Sequence, residues 1–137
     1  MQPEILLVDD DEAALFALRE LLSDLDAKLV LAATGEEALR QVLKQPFAAI
    51  LLDVRLPGVD GFEVATAIRS LERTRRTPIL FMSAHADRRR QARPTAVHEC
   101  YLNKPLDPDL LRRKLAEFIE DAKTPVSEAD GLEYKLA

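Results

Sequence analysis

Five polar residues stand where apolar runs of this sequence end. Asp9 and Asp10 follow Ile5-Leu6-Leu7-Val8, Asp53 follows Ala48–Leu52, Ser83 follows Pro78–Met82, and Lys104 comes shortly after Glu99–Leu102. Three carboxylates, one hydroxyl and one ammonium form a set that can do chemistry if they converge. Clustered carboxylates repel one another unless a cation neutralises them. Ligands that are all oxygen suit a hard cation, and magnesium is held by a few carboxylates with waters and a phosphate completing its shell. One carboxylate is then free to attack phosphorus, while an ammonium and a hydroxyl stabilise charge on the phosphoryl oxygens. Asp53, the central acid after a central apolar run, is the best-placed nucleophile. Asp9 and Asp10 are the better metal holders.

Taken singly, each residue has a plainer reading. An Asp after a strand is commonly a turn residue or a helix cap, and Asp9-Asp10-Asp11 also fits a solvated cluster. Ser83 alone reads as a strand-end hydroxyl, and Lys104 before Pro105 as a surface charge. The order of all five, each at the end of an apolar run, is what sets the chemical reading above the plain one.

The elements that would position them alternate along the chain. Ile5–Val8 reads as a first strand, and Leu15, Leu18, Leu22 and Leu25 recur at helical spacing. Leu29–Ala32 is a second strand. Thr34 and Glu37 make a capping box for a helix with Ala38, Leu39, Val42 and Leu43 inward, ended by Pro46. Ala48–Leu52 is apolar throughout, as a parallel strand covered on both faces should be. Pro57-Gly58 turns the chain, and Asp60-Gly61 opens a helix with Val64, Ala65, Ile68 and Leu71 inward. Pro78–Met82 is a fourth strand and Glu99–Leu102 a short fifth. Between them, 85–98 predicts a short or irregular fourth helix, because Arg88, Arg89, Arg90 and Arg93 leave few core positions and Pro94 interrupts it. After Pro105, Asp107 caps a last helix marked by Leu111, Leu115, Phe118 and Ala122. Strand and helix repeated in this way imply an α/β fold, a doubly wound five-stranded parallel sheet with five helices. Such sheets bind ligands at the carboxyl ends of their strands, where the five polar residues fall.

Composition bounds the rest. At 137 residues the chain suits one domain, 1–123, with 124–137 a polar linker or tail. A hydrophobic share of 47% supplies a core without a disulfide, and the single cysteine, Cys100, forms no internal one. That points to a reducing, cytoplasmic setting. No apolar run is long enough to insert in a membrane, and a net charge of −5 argues against nucleic acid as a direct partner.

Five segments carry a family resemblance: Ile5-Leu6-Leu7-Val8-Asp9-Asp10-Asp11, Leu51-Leu52-Asp53-Val54-Arg55-Leu56-Pro57-Gly58, Asp60-Gly61, Phe81-Met82-Ser83-Ala84 and Tyr101-Leu102-Asn103-Lys104-Pro105. Together they resemble the successive motifs of bacterial two-component response-regulator receiver domains, over roughly residues 4 to 122. The resemblance implies a flavodoxin-like fold. It implies that Asp53 accepts a phosphoryl group from a histidine kinase or phosphotransfer protein, with Mg2+ held by Asp9, Asp10, Asp53 and the backbone carbonyl of Arg55. It implies that Lys104 pairs with the phosphoryl oxygens, that Ser83 swings toward them, and that the Tyr101 rotamer changes with it. A downstream output domain or protein, and dimerisation linked to phosphorylation, belong to the same expectation. The chain would be no enzyme beyond its own phosphorylation and dephosphorylation.

The sequence departs from the family pattern before its switch aromatic, where Val97 and His98 replace the usual Gly-Ala pair. The stretch from Ser83 to Lys104 is also about one residue short. This leaves a second reading open, a degenerate receiver acting as a phosphorylation-independent interaction module. Aspartyl-nucleophile phosphatases place a general-acid Asp two residues after the nucleophile; Arg55 stands there, which argues against turnover on external substrates.

Overall fold

A computed structural model describes residues 2–84 and 98–123. Five strands form one parallel sheet: β1 (Glu4–Val8), β2 (Lys28–Ala32), β3 (Ala49–Asp53), β4 (Ile79–Ala84) and β5 (Glu99–Lys104). Their spatial order is β2-β1-β3-β4-β5, the doubly wound flavodoxin-like order. Among the described residues four α-helices accompany them: α1 (Glu12–Leu21), α2 (Gly35–Lys44), α3 (Gly61–Ser70) and α4 (Pro108–Lys123). The helix expected over 85–98 falls almost wholly outside the described residues, as does the tail at 124–137. No helix among the described residues is long and apolar enough to cross a membrane.

The sheet divides the core in two by the alternation of its side chains. Leu6, Val8, Ile50, Leu52, Ile79 and Phe81 face α2 and α3. Ile5, Leu7, Ala49, Leu51, Leu80 and Met82 face α1 and α4. Because both faces are covered, the central strands are apolar at consecutive positions, which is why they read as unbroken runs.

Capping starts the helices where the sequence indicates. Thr34 Oγ1 accepts from Glu37 N at 3.1 Å, while the Glu37 carboxylate accepts from Ala33 N. Asp60 and Glu63 form a reciprocal capping box on α3. Asp11, which the sequence offers only as part of an acidic cluster, caps α1 by accepting from Ala13 N and Ala14 N.

Helix ends and faces bring corrections. Helix α1 stops at Leu21, so Leu25 packs on the core from the turn beyond it. Leu43 is 57% exposed rather than inward, because the buried stripe of α2 runs through Ala38 and Val42. In α4 the stripe is Leu111, Leu115 and Ile119, a four-residue step that leaves Ala122 exposed. Strands β4 and β5 run two residues further than their apolar cores predict, so Ser83 and Lys104 lie inside them.

Arg69 closes the end of the sheet opposite the acidic residues. Its guanidinium donates to the carbonyls of Thr77 at 2.7 Å, Arg75 at 3.1 Å and His98 at 3.0 Å. Its Nε lies 3.4 Å from the fully buried carboxylate of Glu99. One planar cation thus ties the end of α3 to the starts of β4 and β5.

Candidate functional site

Strand register decides which polar residues meet. Val8 pairs with Leu52, so the next rung sets Asp9 level with Asp53. Asp53 pairs with Met82, and Met82 with Leu102. Counting by twos from the core residues, Asp9, Asp53 and Lys104 all belong to the face that α1 and α4 cover. Lys104 reaches across β4 on that face. Its Nζ donates to Asp53 Oδ2 at 2.8 Å and lies 3.7 Å from Asp9 Oδ2.

Backbone amides hold the other oxygens. Asp53 Oδ1 accepts from Arg55 N and Asp9 Oδ1 from Asp11 N, each at 3.0 Å. Asp9 and Asp53 are buried and Asp10 is exposed, yet one carboxylate oxygen from each lies within 4.8 Å of the other two. These three line an open crevice of about 330 Å³ with Arg55, Ser83 and Lys104.

The crevice therefore gathers six of the seven residues singled out in the sequence. Tyr101 lies elsewhere. Its ring stacks on Phe81 at 5.0 Å between centroids, on the sheet face toward α2 and α3. Ser83 shares that face, two residues beyond Phe81, and reaches the crevice only because it stands near the strand end. Its hydroxyl donates to the Ala84 carbonyl at 3.1 Å rather than to Asp53.

A further supporting residue is Gly61. A Cβ built there would sit 2.2 Å from the Asp53 carbonyl oxygen and 2.8 Å from Val54 Cα. The first residue of α3 thus presses on the backbone that carries the acceptor. In the sequence Gly61 is visible as a helix start, but nothing local announces the close approach.

Charge in the crevice is unevenly balanced. Burial holds the Asp9 carboxyl above the usual Asp range, and the charge of Asp53 adds to this, against the Asp11 amide and Lys104. Burial alone would lower the Lys104 ammonium, but its hydrogen bond to Asp53 and the charges of Asp53, Asp9 and Asp10 raise it overall. An acid with a raised folded-state pKa costs stability when ionised. That cost is complete above the folded-state value and disappears as pH falls toward 3.8. Asp9→Asn should therefore stabilise the metal-free protein by about 1 kcal/mol at pH 7. The gain should shrink at pH 4. Urea denaturation at the two pH values, with a chelator present, measures it; a loss of stability at pH 7 would contradict the repulsion described.

The donor set fits a hard divalent cation: carboxylate oxygens only, close together, with the Asp9 carboxyl, which burial pushes up, among them.

Comparison with known proteins points the same way. The family model of the response regulator receiver domain matches residues 5–116. The chain is 34% identical over 121 residues to the sensor histidine kinase GacS of Pseudomonas protegens, a match covering 85% of this chain and 13% of that protein. The chain thus spans only a small part of the sensor kinases it matches. Among solved structures, the receiver domain of sensor histidine kinase PA1611 from Pseudomonas aeruginosa is 34% identical with a TM-score of 0.76, covering 88% of this chain and 99% of that one. That structure has a magnesium ion coordinated in its active site cleft. The chemotaxis protein CheY4 of Vibrio cholerae is 29% identical with a TM-score of 0.76, covering 86% and 99%. Since the sequence match takes in all five strands and the crevice between them, the chain belongs to the response regulator receiver domain family.

Proposed function

We propose that the chain is a working phosphoacceptor of a two-component system, in which Asp53 takes a phosphoryl group from a histidine kinase or a phosphotransfer protein. The observation that carries this reading is the environment of Asp53. Its carboxylate is buried, yet one oxygen rests on a backbone amide and the other on Lys104, with two further acids alongside. A buried carboxylate held by two donors and open to a crevice is suited to attack.

Asp9, Asp10, Asp53 and the Arg55 carbonyl would hold Mg2+. When bound, that ion offsets the negative charge of the carboxylates and the incoming phosphate. The rest falls to the protein. Arg55 N orients the Asp53 carboxylate through Oδ1. As the Asp53–phosphorus bond forms, the bond from phosphorus to the donor's imidazole nitrogen breaks and the imidazole departs with that electron pair, while Lys104 exchanges Asp53 Oδ2 for a phosphoryl oxygen without leaving the crevice. Ser83 gives up the Ala84 carbonyl and donates to the phosphoryl group, and Tyr101 repacks along the same sheet face. That rearrangement is the signal passed to an output domain or protein, or to a phosphorylation-linked dimer. The receiver domain takes in 1–123 and works in the cytoplasm, with 124–137 as its linker or tail. Its chemistry is confined to its own phosphorylation and dephosphorylation.

Incubation with Mg2+ and acetyl phosphate should add one phosphoryl group to the intact protein, read by mass spectrometry. Asp53→Asn should take none, and chelation of the metal should prevent labelling. A folded wild type that stays unlabelled with Mg2+ present would overturn the reading.

A further inference from the structure

The β3–α3 connection, residues 54–60, carries more of the site than its neighbour Asp53 alone. Arg55 N orients the Asp53 carboxylate, and Arg55 lines the crevice. Both ends of the connection are held. Val54 N donates to the Met82 carbonyl at 3.0 Å, and the Asp60–Glu63 box fixes the start of α3. Between these ends the chain turns at Gly58, where φ is +73°, and is located by packing. Leu56 is buried, and Val59 packs on the core that α2 and α3 share.

A further support comes from α2. Its first residue, Gly35, is buried, and a Cβ built there would lie 2.6 Å from the Val59 carbonyl oxygen and 3.2 Å from Val59 Cβ. The same Cβ would lie 2.8 Å from Val64 Cγ2. The φ of Gly35 is not positive, so glycine is needed there for space. Gly35 is not among the residues that line the crevice.

Resting on the Mg2+ set proposed above, in which the Arg55 carbonyl is a ligand, we propose that Gly35 is a positioning residue for the metal. By letting the N-terminus of α2 back onto Val59, it sets where the β3–α3 connection holds the Arg55 carbonyl.

The route from Gly35 to Arg55 follows from what is already fixed. A displaced Val59 cannot pass its shift toward α3, because Asp60 is held by the capping box. The shift therefore runs back through the Pro57-Gly58 turn. It stops short of Asp53, because Val54 N is tied to Met82 and Arg55 N to Asp53 Oδ1. The carbonyl of Arg55 belongs to the next peptide plane, shared with Leu56, and that plane is the first beyond this double hold. The metal ligand thus moves while the acceptor and its orienting amide stay.

The test sets Gly35→Ala against Ala38→Gly. Ala38 is fully buried in the interior of α2, so glycine there weakens the helix without touching Val59. Both variants should unfold at lower urea than wild type. In calorimetric titration with Mg2+ alone, Gly35→Ala should bind about tenfold more weakly, the usual cost of losing support behind a ligand, and Ala38→Gly should bind as wild type does. With acetyl phosphate, Gly35→Ala should need about tenfold more Mg2+ for half-maximal labelling, yet label within about twofold of the wild-type rate once saturated. The double variant Gly35→Ala, Val64→Ala removes the Val64 obstacle and leaves the Val59 carbonyl. It should show the same loss of affinity, and it carries the test if the single variant does not fold. Wild-type Mg2+ affinity in folded Gly35→Ala or in the double variant would mean that α2 takes up the strain, and the inference fails while the phosphoacceptor reading stands. Equal weakening in Ala38→Gly would overturn it as well. If folded wild type binds no Mg2+, the inference and the metal set fail together.

Discussion

Lys104→Met should slow phosphoryl uptake from acetyl phosphate by about 100-fold, the cost of removing one preorganised donor from charge that develops in a transition state. Among the described residues, Lys104 Nζ is the only side-chain cation lining the acidic crevice apart from the exposed Arg55, and it is already hydrogen-bonded to the attacking group. The same substitution should destabilise the metal-free fold at pH 7 by about 2 kcal/mol, because it leaves the buried carboxylates of Asp9 and Asp53 facing each other. The figure is below that usual for a broken buried pair, since the Lys104 side chain is 39% exposed and water screens it. The pH dependence has a definite sign. Lys104 has a raised folded-state pKa, so its stabilisation is complete below 10.5 and is lost only as pH climbs through the higher folded-state value. Wild type and Lys104→Met should therefore converge at strongly alkaline pH. Millimolar Mg2+ should restore much of the variant's stability but not its rate. Equal labelling rates in the two proteins would remove Lys104 from the chemistry.

Both effects trace to features with very different visibility in the sequence. The acidic crevice was legible because a parallel sheet converts sequence position into spatial position. Residues at the ends of β1, β3, β4 and β5 must gather at one rim, whatever the loops do. The alternation of Asp9, Asp53 and Lys104 onto one face comes from the two-residue period of strands, once Ile5, Leu7 and Leu51 are known to face α1 and α4. Helix starts were legible because caps are local: Thr34 and Asp60 each act within three residues. Helix faces were less so. Leu43 and Ala122 lie near the edges of their apolar stripes, where a 3.6-residue period cannot separate buried from exposed. Arg69 was invisible for a stronger reason. Its partners at His98 and Glu99 lie far along the chain, and its bonds to Arg75, Thr77 and His98 go to carbonyls, which carry no residue identity.

Gly61 is the clearest case of a site requirement carried by backbone contact alone, and Gly61→Ala is expected to cost about 3 kcal/mol of stability, the upper end for inserting one methyl into a packed position. Its φ is not positive, so conformational freedom is not the reason. The reason is space. The new Cβ would meet the Asp53 carbonyl oxygen at 2.2 Å and Val54 Cα at 2.8 Å, and both obstacles are main chain. No side-chain rotation relieves them. Either the N-terminus of α3 lifts or the end of β3 is displaced. Lifting α3 strains the bond from Gly61 N to the Val54 carbonyl at 2.9 Å and disturbs Val64 and Ala65, which are fully buried. Displacing β3 moves Asp53 away from Lys104 and from the Arg55 amide that orients it. The two routes have different readouts. In the first, the urea midpoint falls while Mg2+ binding and labelling of the folded fraction persist. In the second, metal affinity and labelling fall with stability. The short β3–α3 connection, capped by Asp60 and anchored by the Asp60–Glu63 box, resists the lift. The second outcome is therefore expected, with labelling reduced at least about tenfold in protein that circular dichroism shows to be folded. Unchanged stability in Gly61→Ala would mean that α3 does not press on the acceptor strand as the geometry requires.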